Sequence, residues 1–581
     1  MTVTTNRRSL LKAGAAGLGL ATAAPVLAAC SGDSIPGGGN GEPAAEYEQG
    51  SAPLEVELGP EIDGVNYPED YVGPRHRELE PFGDGETEFS MLGRSIPGLS
   101  YPENYYANLL EEKTGVKVTY QDVPLGDDGQ TTVNAILSGG DLPDAIMSGM
   151  GLFTPSQVAI YGEMGMFLPV DELIDRLAPH IREMFEQFPD MRSLFTAPDG
   201  RMYAVPSMND CYHCKIGNVR TWINSDFVSA DEHPQTLAEF EALMAELKEH
   251  PDRSSGDPLV TTSSTNVPAL FNFFLGAFLP VSSTHLLLEG GTVVWGPRQD
   301  GYREGLSWIQ KQFRDGIFST DMFSLTQEQM QRLGDAADGP AFVIAYGNSP
   351  GDFASVNDPS QERNAGRVMV PLAPMEGPNG VRTCDWDWYQ IGSPNFVITS
   401  ACEDPETMIR WADYQFELGM TISMGAGEKG VGWDFADQGA VGIDGEQAVY
   451  ARIPNDLENQ LWWEWGPFYK SSSQRHGEAV DPDVPTIEGV LYEAGAAYEP
   501  YRVPQEIKVP PLMFTMDESA QVGETETNLL QHLEQFFAAF GTGRADVDDD
   551  ADWQEFQDGF TSIGLDNYLE IQQTAYDRQF G

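Results

Sequence analysis

Apolar positions along this chain switch repeatedly between a period of two and a period near 3.6. Thr87-Glu-Phe-Ser-Met-Leu-Gly93 alternates and predicts a strand, while Tyr101 to Thr114 has helical spacing and ends at Gly115, a suitable C-cap. Val116 to Tyr120 alternates again. Thr131 to Ser138 predicts a short helix closed by Gly139-Gly140, and the turn Asp141-Leu-Pro-Asp144 leads into another short apolar run. That order of strands and helices predicts an α/β fold built on a parallel, doubly wound sheet with helices on both faces. A second α/β set starts near Val219. In it Thr236-Leu-Ala-Glu239 is a capping box, followed by one apolar face of Leu237, Phe240, Leu243, Met244 and Leu247. Asp404-Pro405 starts another helix, with Asp as N-cap and Pro at the first position. Leu529, Leu530, Leu533, Phe536, Phe537 and Phe540 form a buried stripe near the C-terminus, and no internal repeat is visible.

The N-terminus follows neither pattern. Arg7-Arg8-Ser9-Leu10-Leu11-Lys12 is a twin-arginine sequence, followed by an Ala, Gly and Leu stretch from Ala13 to Ala29. The stretch is short for a bilayer span and is preceded by basic residues, so it predicts an export signal. Leu27-Ala28-Ala29-Cys30 resembles a lipobox, in which the Cys30 thiol takes a diacylglycerol group. Val267 to Val281 is also apolar, but Pro268, Asn272 and Pro280 interrupt it and a buried core helix is predicted instead. Residues 31–52 are rich in Ser, Gly, Pro and Glu and serve as a tether. The prelude that follows, to residue 85, adds Tyr67, Tyr71 and Phe82 and is expected to lie against the globule.

Charge narrows the partners. Residues 1–29 hold three cations and no carboxylate, which leaves 30 basic against 90 acidic residues and a net charge of −60 in the remainder. Such a field excludes nucleic acid and anionic membrane surfaces as partners, leaving the N-terminal lipid as the only membrane contact. It also opposes uronate-rich ligands unless a local arginine such as Arg94 or Arg382 reverses it. With Cys30 lipidated, Cys211, Cys214, Cys384 and Cys402 remain. Four cysteines in an exported chain predict two disulfides with three possible connectivities; a zinc half-site or a redox dithiol at Cys211-Tyr-His-Cys214 stands beside that reading.

Seven segments in order carry a family resemblance. They include Leu109-Leu110-Glu-Glu-Lys-Thr-Gly115-Val-Lys-Val118, Leu137-Ser-Gly-Gly-Asp-Leu-Pro-Asp144, Phe167-Leu-Pro-Val-Asp-Glu-Leu-Ile174 and Ala197-Pro-Asp-Gly-Arg-Met-Tyr-Ala-Val-Pro206. Thr221-Trp-Ile-Asn224, Arg410-Trp-Ala-Asp-Tyr414 and the terminal Gly564 to Arg578 segment complete the set. From about residue 87 to 578 the chain resembles family 1 extracellular solute-binding proteins, and within them the large aldouronate-type oligosaccharide-binding lipoproteins. The resemblance implies a two-lobed, type II-like periplasmic-binding-protein fold whose lobes are joined by crossing hinge strands. The ligand is held between them and the hinge closes on it. It implies residues 1–29 as leader and 30–86 as lipidated tether and acidic prelude. Residues 87–211 with 392–470 form lobe 1, and 212–391 with 471–581 lobe 2. The implied role is capture of an oligosaccharide by a surface-anchored monomer for the transmembrane subunits of an ABC importer, with no catalysis, metal or cofactor.

Sugar sites pair flat aromatic platforms with short hydrogen-bonding side chains. Trp386-Asp387-Trp388-Tyr389 precedes an expected crossing strand; if extended, its two indoles share one face about 7 Å apart. Trp462-Trp463-Glu464-Trp465 cannot turn three indoles into one core, which makes Trp465 a candidate, and Trp433 after a Gly-rich turn is another. Asn209, Asp210 and Tyr212 follow a strand near the handover between lobes. Tyr346 ends an apolar strand, and Arg94 and Ser95 end the first.

Enzyme motifs fail on chemistry. Gly347-Asn-Ser349-Pro-Gly351 fits the nucleophile elbow, but Pro350 has no N–H for the oxyanion hole. Gly425-Ala-Gly427-Glu-Lys-Gly430 follows a helical segment where a dinucleotide fingerprint needs a strand. The Asp546, Asp548, Asp550 series lacks a calcium loop's Gly and its bidentate Glu, with Ala551 and Gln557 in their places. With 90 acidic residues, an exported glycan hydrolase stays open as the alternative, beside a sensory receptor and a peptide ligand.

Overall fold

The computed structural model describes residues 55–581 except 96–97, 150, 218, 251–256, 337–338, 355–367, 390, 456–458, 463 and 482–485. The leader 1–29, the lipidation candidate Cys30, the tether to residue 54 and Trp463 lie outside the described residues.

Ten strands build the two main sheets: β1 (Glu88–Ser95), β2 (Lys117–Pro124), β3 (Ala145–Met147), β4 (Val205–Asn209), β5 (Arg220–Asn224), β6 (Val260–Thr261), β7 (Ile344–Gly347), β8 (Met369–Pro371), β9 (Gly392–Ile398) and β10 (Tyr469–Lys470). The first sheet has the order β10-β4-β9-β3-β1-β2 and the second β8-β5-β7-β6. The first sheet is mixed, not parallel throughout. β1 pairs in parallel with β2 and β3, but β9 runs antiparallel to β3 and β4 because it returns from the other lobe.

Local signals explain the helices. Asn104 caps the helix Tyr105–Thr114, its side chain accepting from the Ala107 N–H, and Gly115 ends it at φ 73°. The first helix behind β2 is longer than its apolar pattern suggests, Asp127–Gly139, and closes at Gly140 with φ 75°. Both arms of the Thr236 capping box form: the Glu239 N–H donates to Thr236 Oγ1 at 3.1 Å, and the Thr236 N–H to Glu239 Oε2 at 3.3 Å. Thr236→Ala is therefore expected to lower stability by about 1 kcal/mol, readable as a shifted denaturant midpoint with an unchanged slope. Asp404 caps Pro405–Tyr414 through the Thr407 N–H.

Each sheet has apolar cores on its faces. Phe89, Met91, Met208, Phe396, Trp411 and Trp462 belong to one core of the first sheet, while Leu92, Val123 and Val397 face the other. In the second, Ile223, Ile344, Phe271 and Phe274 pack with the C-terminal helix Met516–Gly541, where Phe537 stacks on Phe271 at 4.1 Å. Val267–Leu275 is a helix of this core and crosses no membrane; no described helix is long and apolar enough to do so. The prelude is bolted to the first lobe. Its Val56 N–H reaches the Arg176 carbonyl, its His76 pairs with Glu417 at 2.6 Å, and Tyr71 is buried beside Leu418 and Trp433.

The chain crosses between the sheets after β4, after β8 and after β10. β1, β2, β3, β4 and β10 all run the same way. Their carboxyl ends therefore share one edge with the start of β9. The carboxyl ends of β6, β7 and β8 share an edge with the start of β5. The crossings leave from and arrive at these two edges, so the edges face each other. That is where ligands enter open α/β sheets.

Candidate functional site

The crossing from β4 to β5 brings polar groups together. Asn209 is held on both sides: its Nδ2 donates to Glu464 Oε2 at 3.0 Å, and its Oδ1 accepts from Arg475 Nη1 at 2.9 Å. Glu464 pairs with Lys470 at 3.0 Å, and Arg475 also reaches Glu488 at 3.5 Å. Asp210 pairs with Lys215 at 2.6 Å and accepts from Ser472 Oγ at 2.7 Å. Burial opposes ionisation of Asp210, but the Lys215 ammonium and the Ser472 hydrogen bonds hold it below the usual carboxylate range. Glu464 is held down in the same way by Lys470 and Arg475 against its burial.

Tyr212 starts the short helical turn Tyr212–Ile216 and gathers rings around it. Trp386 lies 5.8 Å away edge-on, His476 5.5 Å and Tyr492 5.3 Å, while its hydroxyl donates to Glu499 Oε2 at 2.7 Å. Tyr212 and Tyr492 are half-buried, so part of this aromatic surface meets solvent. Although the chain carries net charge −57, cations collect here: Lys215, Lys470 and Arg475, with Arg220 bonded to Asn348 and to the His213 carbonyl. His213 records that local field. Burial first, then Arg220, Arg475 and His476, push its pKa down to about 3. Paired donors and acceptors beside an aromatic surface can exchange their partners for sugar hydroxyls and CH faces.

Asn209, Asp210 and Tyr212 thus come together, with Trp386 at the back of the group. The other sequence candidates are dispersed. Residues 385–387 form no strand, and Trp386 and Trp388 are not a shared open face. Trp386 is 3% exposed and packed on Ile216, Tyr498 and Val503, while Trp388 donates its indole N–H to the Val503 carbonyl under the Arg502 guanidinium. Trp433 is a core residue bonded to Ser423 Oγ and the Gly427 carbonyl. Trp465 is buried in the first lobe, and Tyr346 is buried between Phe273 and Phe274 in the second. Arg94 is buried at the end of β1 with Nε and Nη1 unpaired, and Ser95 beside it is half-buried. Sequence reasoning missed Glu464, Lys470, Ser472 and Arg475, because no short motif marks pairs such as Asn209–Glu464, Asp210–Ser472 and Asn209–Arg475, which span more than 250 positions.

The expected pair of disulfides is corrected to one among the described residues, Cys211–Cys214, with Cys384 and Cys402 as buried free thiols. The latter two sit in separate cores, Cys384 beside Trp386 and Tyr498, Cys402 in the first lobe. Cys211, His213 and Cys214 place their donor atoms within 4.8 Å of one another, but with the sulfurs joined no thiolate is left for zinc. Ser349 caps a short turn by accepting from the Gly351 N–H. Asp549 caps the helix Asp550–Ile563, and the neighbouring Asp546, Asp548 and Asp550 face Arg314 and Arg303.

Gly149, just past β3, couples the first edge to this site. A Cβ there would fall 2.6 Å from the Glu464 carbonyl oxygen and against the Trp465 backbone. Gly149→Ala is expected to displace residues 464–465 and lower affinity for any cleft ligand at least tenfold, measured by titration calorimetry; unchanged affinity would detach Glu464 from binding.

No family model matches the chain. The fructooligosaccharide ABC transporter substrate-binding protein FusA of Streptococcus pneumoniae is 22% identical over 493 residues, covering 81% of this chain and 86% of that protein. The structure of FusA with kestose has a TM-score of 0.65 at 20% identity and covers 85% of this chain and 99% of that one. An HMO-binding, ABC-transporter-associated solute-binding protein of Bifidobacterium longum infantis gives 0.68 at 18%, covering 85% and 99%. By its two facing sheets, its crossings and these likenesses, the chain has the two-lobed α/β fold of the extracellular solute-binding proteins that serve ABC importers.

Proposed function

We propose that this protein captures an extracellular oligosaccharide between its lobes and delivers it to the transmembrane subunits of an ABC importer, without catalysing a reaction. The observation that carries this reading is the group at the crossings, where Asn209, Asp210, Glu464 and Arg475 meet the half-buried Tyr212 and Tyr492 at facing sheet edges. The likeness to FusA over 81% of the chain supports a saccharide as the solute. Arg94 and Ser95, at the carboxyl end of β1, are proposed to extend the site along the first edge. The twin-arginine leader and Cys30 support export and a lipid anchor, which keep the protein concentrated near its importer.

A thermal-shift screen tests the reading, with fructooligosaccharides, neutral hexose oligomers, uronate oligomers and peptides as probes. A ligand at 100 times its dissociation constant adds about 2.7 kcal/mol of stability. The expected hit is a saccharide recovered chemically unchanged. A saccharide recovered cleaved would replace transport by hydrolysis. A response to peptides alone would keep the fold and overturn the solute class.

A further inference from the structure

The Cys211–Cys214 bond closes a loop over a sequence separation of only three residues. A disulfide stabilises chiefly by removing chain entropy from the unfolded state, and short loops remove least. The bond is therefore a poor staple for a chain of this size, yet it occupies a place where backbone conformation matters. It lies in the segment that crosses from β4 to β5. The turn it closes carries contacts to three parts of the molecule. Tyr212 donates to Glu499, Lys215 pairs with Asp210, and the Lys215 carbonyl accepts from the Asp387 N–H at 2.6 Å.

The surroundings favour thiol exchange. Cys214 is half-buried while Cys211 is only 1% exposed, so Cys214 is the more accessible residue of the pair to an incoming thiolate. Lys215 is the next residue, Arg220 bonds the His213 carbonyl, and both Arg220 and Arg475 act on the His213 ring within the turn. Positive charge stabilises a departing thiolate and makes a disulfide easier to reduce. The described free thiols, Cys384 and Cys402, are buried in separate cores, which confines exchange to this pair.

We propose that Cys211–Cys214 is an exchange-active disulfide that sets the stiffness of the crossing segment, with an exported dithiol oxidoreductase as its partner. A thiolate of the partner attacks Cys214 Sγ, the Cys211–Cys214 bond breaks, and Cys211 leaves as a thiolate. The partner's second thiolate then displaces Cys214 from the mixed disulfide. Two electrons and two protons pass to Cys211 and Cys214, and the partner is left as its own disulfide. Reduction unties the turn that positions Tyr212 and Lys215 and loosens the crossing.

The test needs no ligand, so its failure is distinct from failure of the transport reading. The intact protein is incubated with excess dithiothreitol at neutral pH and alkylated without denaturant, and peptide masses are read beside amide hydrogen exchange. Cys214 is expected to take the label within minutes and Cys211 to follow as the reduced turn loosens, while Cys384 and Cys402 do not. Amide exchange over 212–217 and 384–388 is expected to accelerate at least tenfold and to revert on reoxidation. A Cys211→Ser/Cys214→Ser variant should exchange fast from the start and ignore the reductant; the wild-type comparison stands even if that variant folds poorly. A pair that resists reduction until the protein is denatured would overturn the proposal. So would reduction that leaves exchange at 212–217 unchanged.

Discussion

Asp413→Ala is expected to cost about 3–5 kcal/mol of folding stability, because it breaks a buried pair and leaves both partners without an acceptor. Asp413 Oδ2 meets His180 Nδ1 at 2.8 Å, and its Oδ1 accepts the Ile181 N–H at 2.9 Å. Both side chains are buried where the helices Pro179–Gln187 and Pro405–Tyr414 pack. Guanidinium unfolding at pH 6 measures the loss, and a change below about 1 kcal/mol would rank the pair with surface salt bridges. The same pair predicts a pH dependence. Burial pulls the His180 pKa down, but the charge and hydrogen bond of Asp413, with Glu417 and Glu183 behind it, carry it above the ordinary value. A histidine whose folded pKa is raised contributes stability that is complete below its unfolded value of about 6.5 and lost as pH rises through the folded value. Wild-type stability should therefore decline above about pH 6.5, and that decline should vanish in Asp413→Ala. His285, pushed down to about 4 by burial, acts in the opposite window: it is protonated more readily when unfolded and destabilises below about pH 6.5.

Arg475→Ala is expected to weaken ligand capture tenfold to a hundredfold, about 1.4–2.8 kcal/mol, while leaving the unfolding midpoint close to wild type. Arg475 bonds Asn209 and reaches Glu464 and Glu488, so its loss leaves the Asn209 side-chain carbonyl oxygen without this donor and Lys470 as the remaining cation on Glu464. Titration of the saccharide found in the thermal-shift screen reads the effect. Arg475→Lys restores charge but not the fork that spans two acceptors, so only partial recovery is expected. Unchanged affinity in Arg475→Ala would remove this group from the binding site.

Local backbone chemistry was legible in the sequence wherever one residue and its near neighbours decide the outcome. The Thr236 capping box, the Asp404 cap and the left-handed Gly115 all form as their residue types require. The ordered motifs carried the two-lobed fold. Sheet direction was less accessible: nothing in β9 itself announces that it returns antiparallel, because that follows from the path through the second lobe. The aromatic clusters misled for a physical reason. An indole supplies both a large apolar face and one N–H, and a core that offers a carbonyl at the right place satisfies both. Trp388 and Trp433 each find such a carbonyl, at Val503 and Gly427. The candidate residues that sequence missed are polar side chains of one short stretch, Glu464 to Arg475, that lies more than 250 positions from Asn209 and Asp210, and only the crossings bring the two together.

The two enclosed thiols make distance measurements across the cleft straightforward. Burial raises the pKa of Cys384 well above the ordinary thiol value and pushes Cys402 up to about 12, so neither offers thiolate to a maleimide dye at neutral pH. With the Cys211–Cys214 bond kept oxidised, Leu125→Cys on the first lobe and Ile487→Cys on the second, at positions 39% and 47% exposed, can carry a donor and an acceptor fluorophore. Native Cys384 and Cys402 need not be removed, and energy transfer between the dyes, read one molecule at a time, then tests whether the lobes close on a ligand.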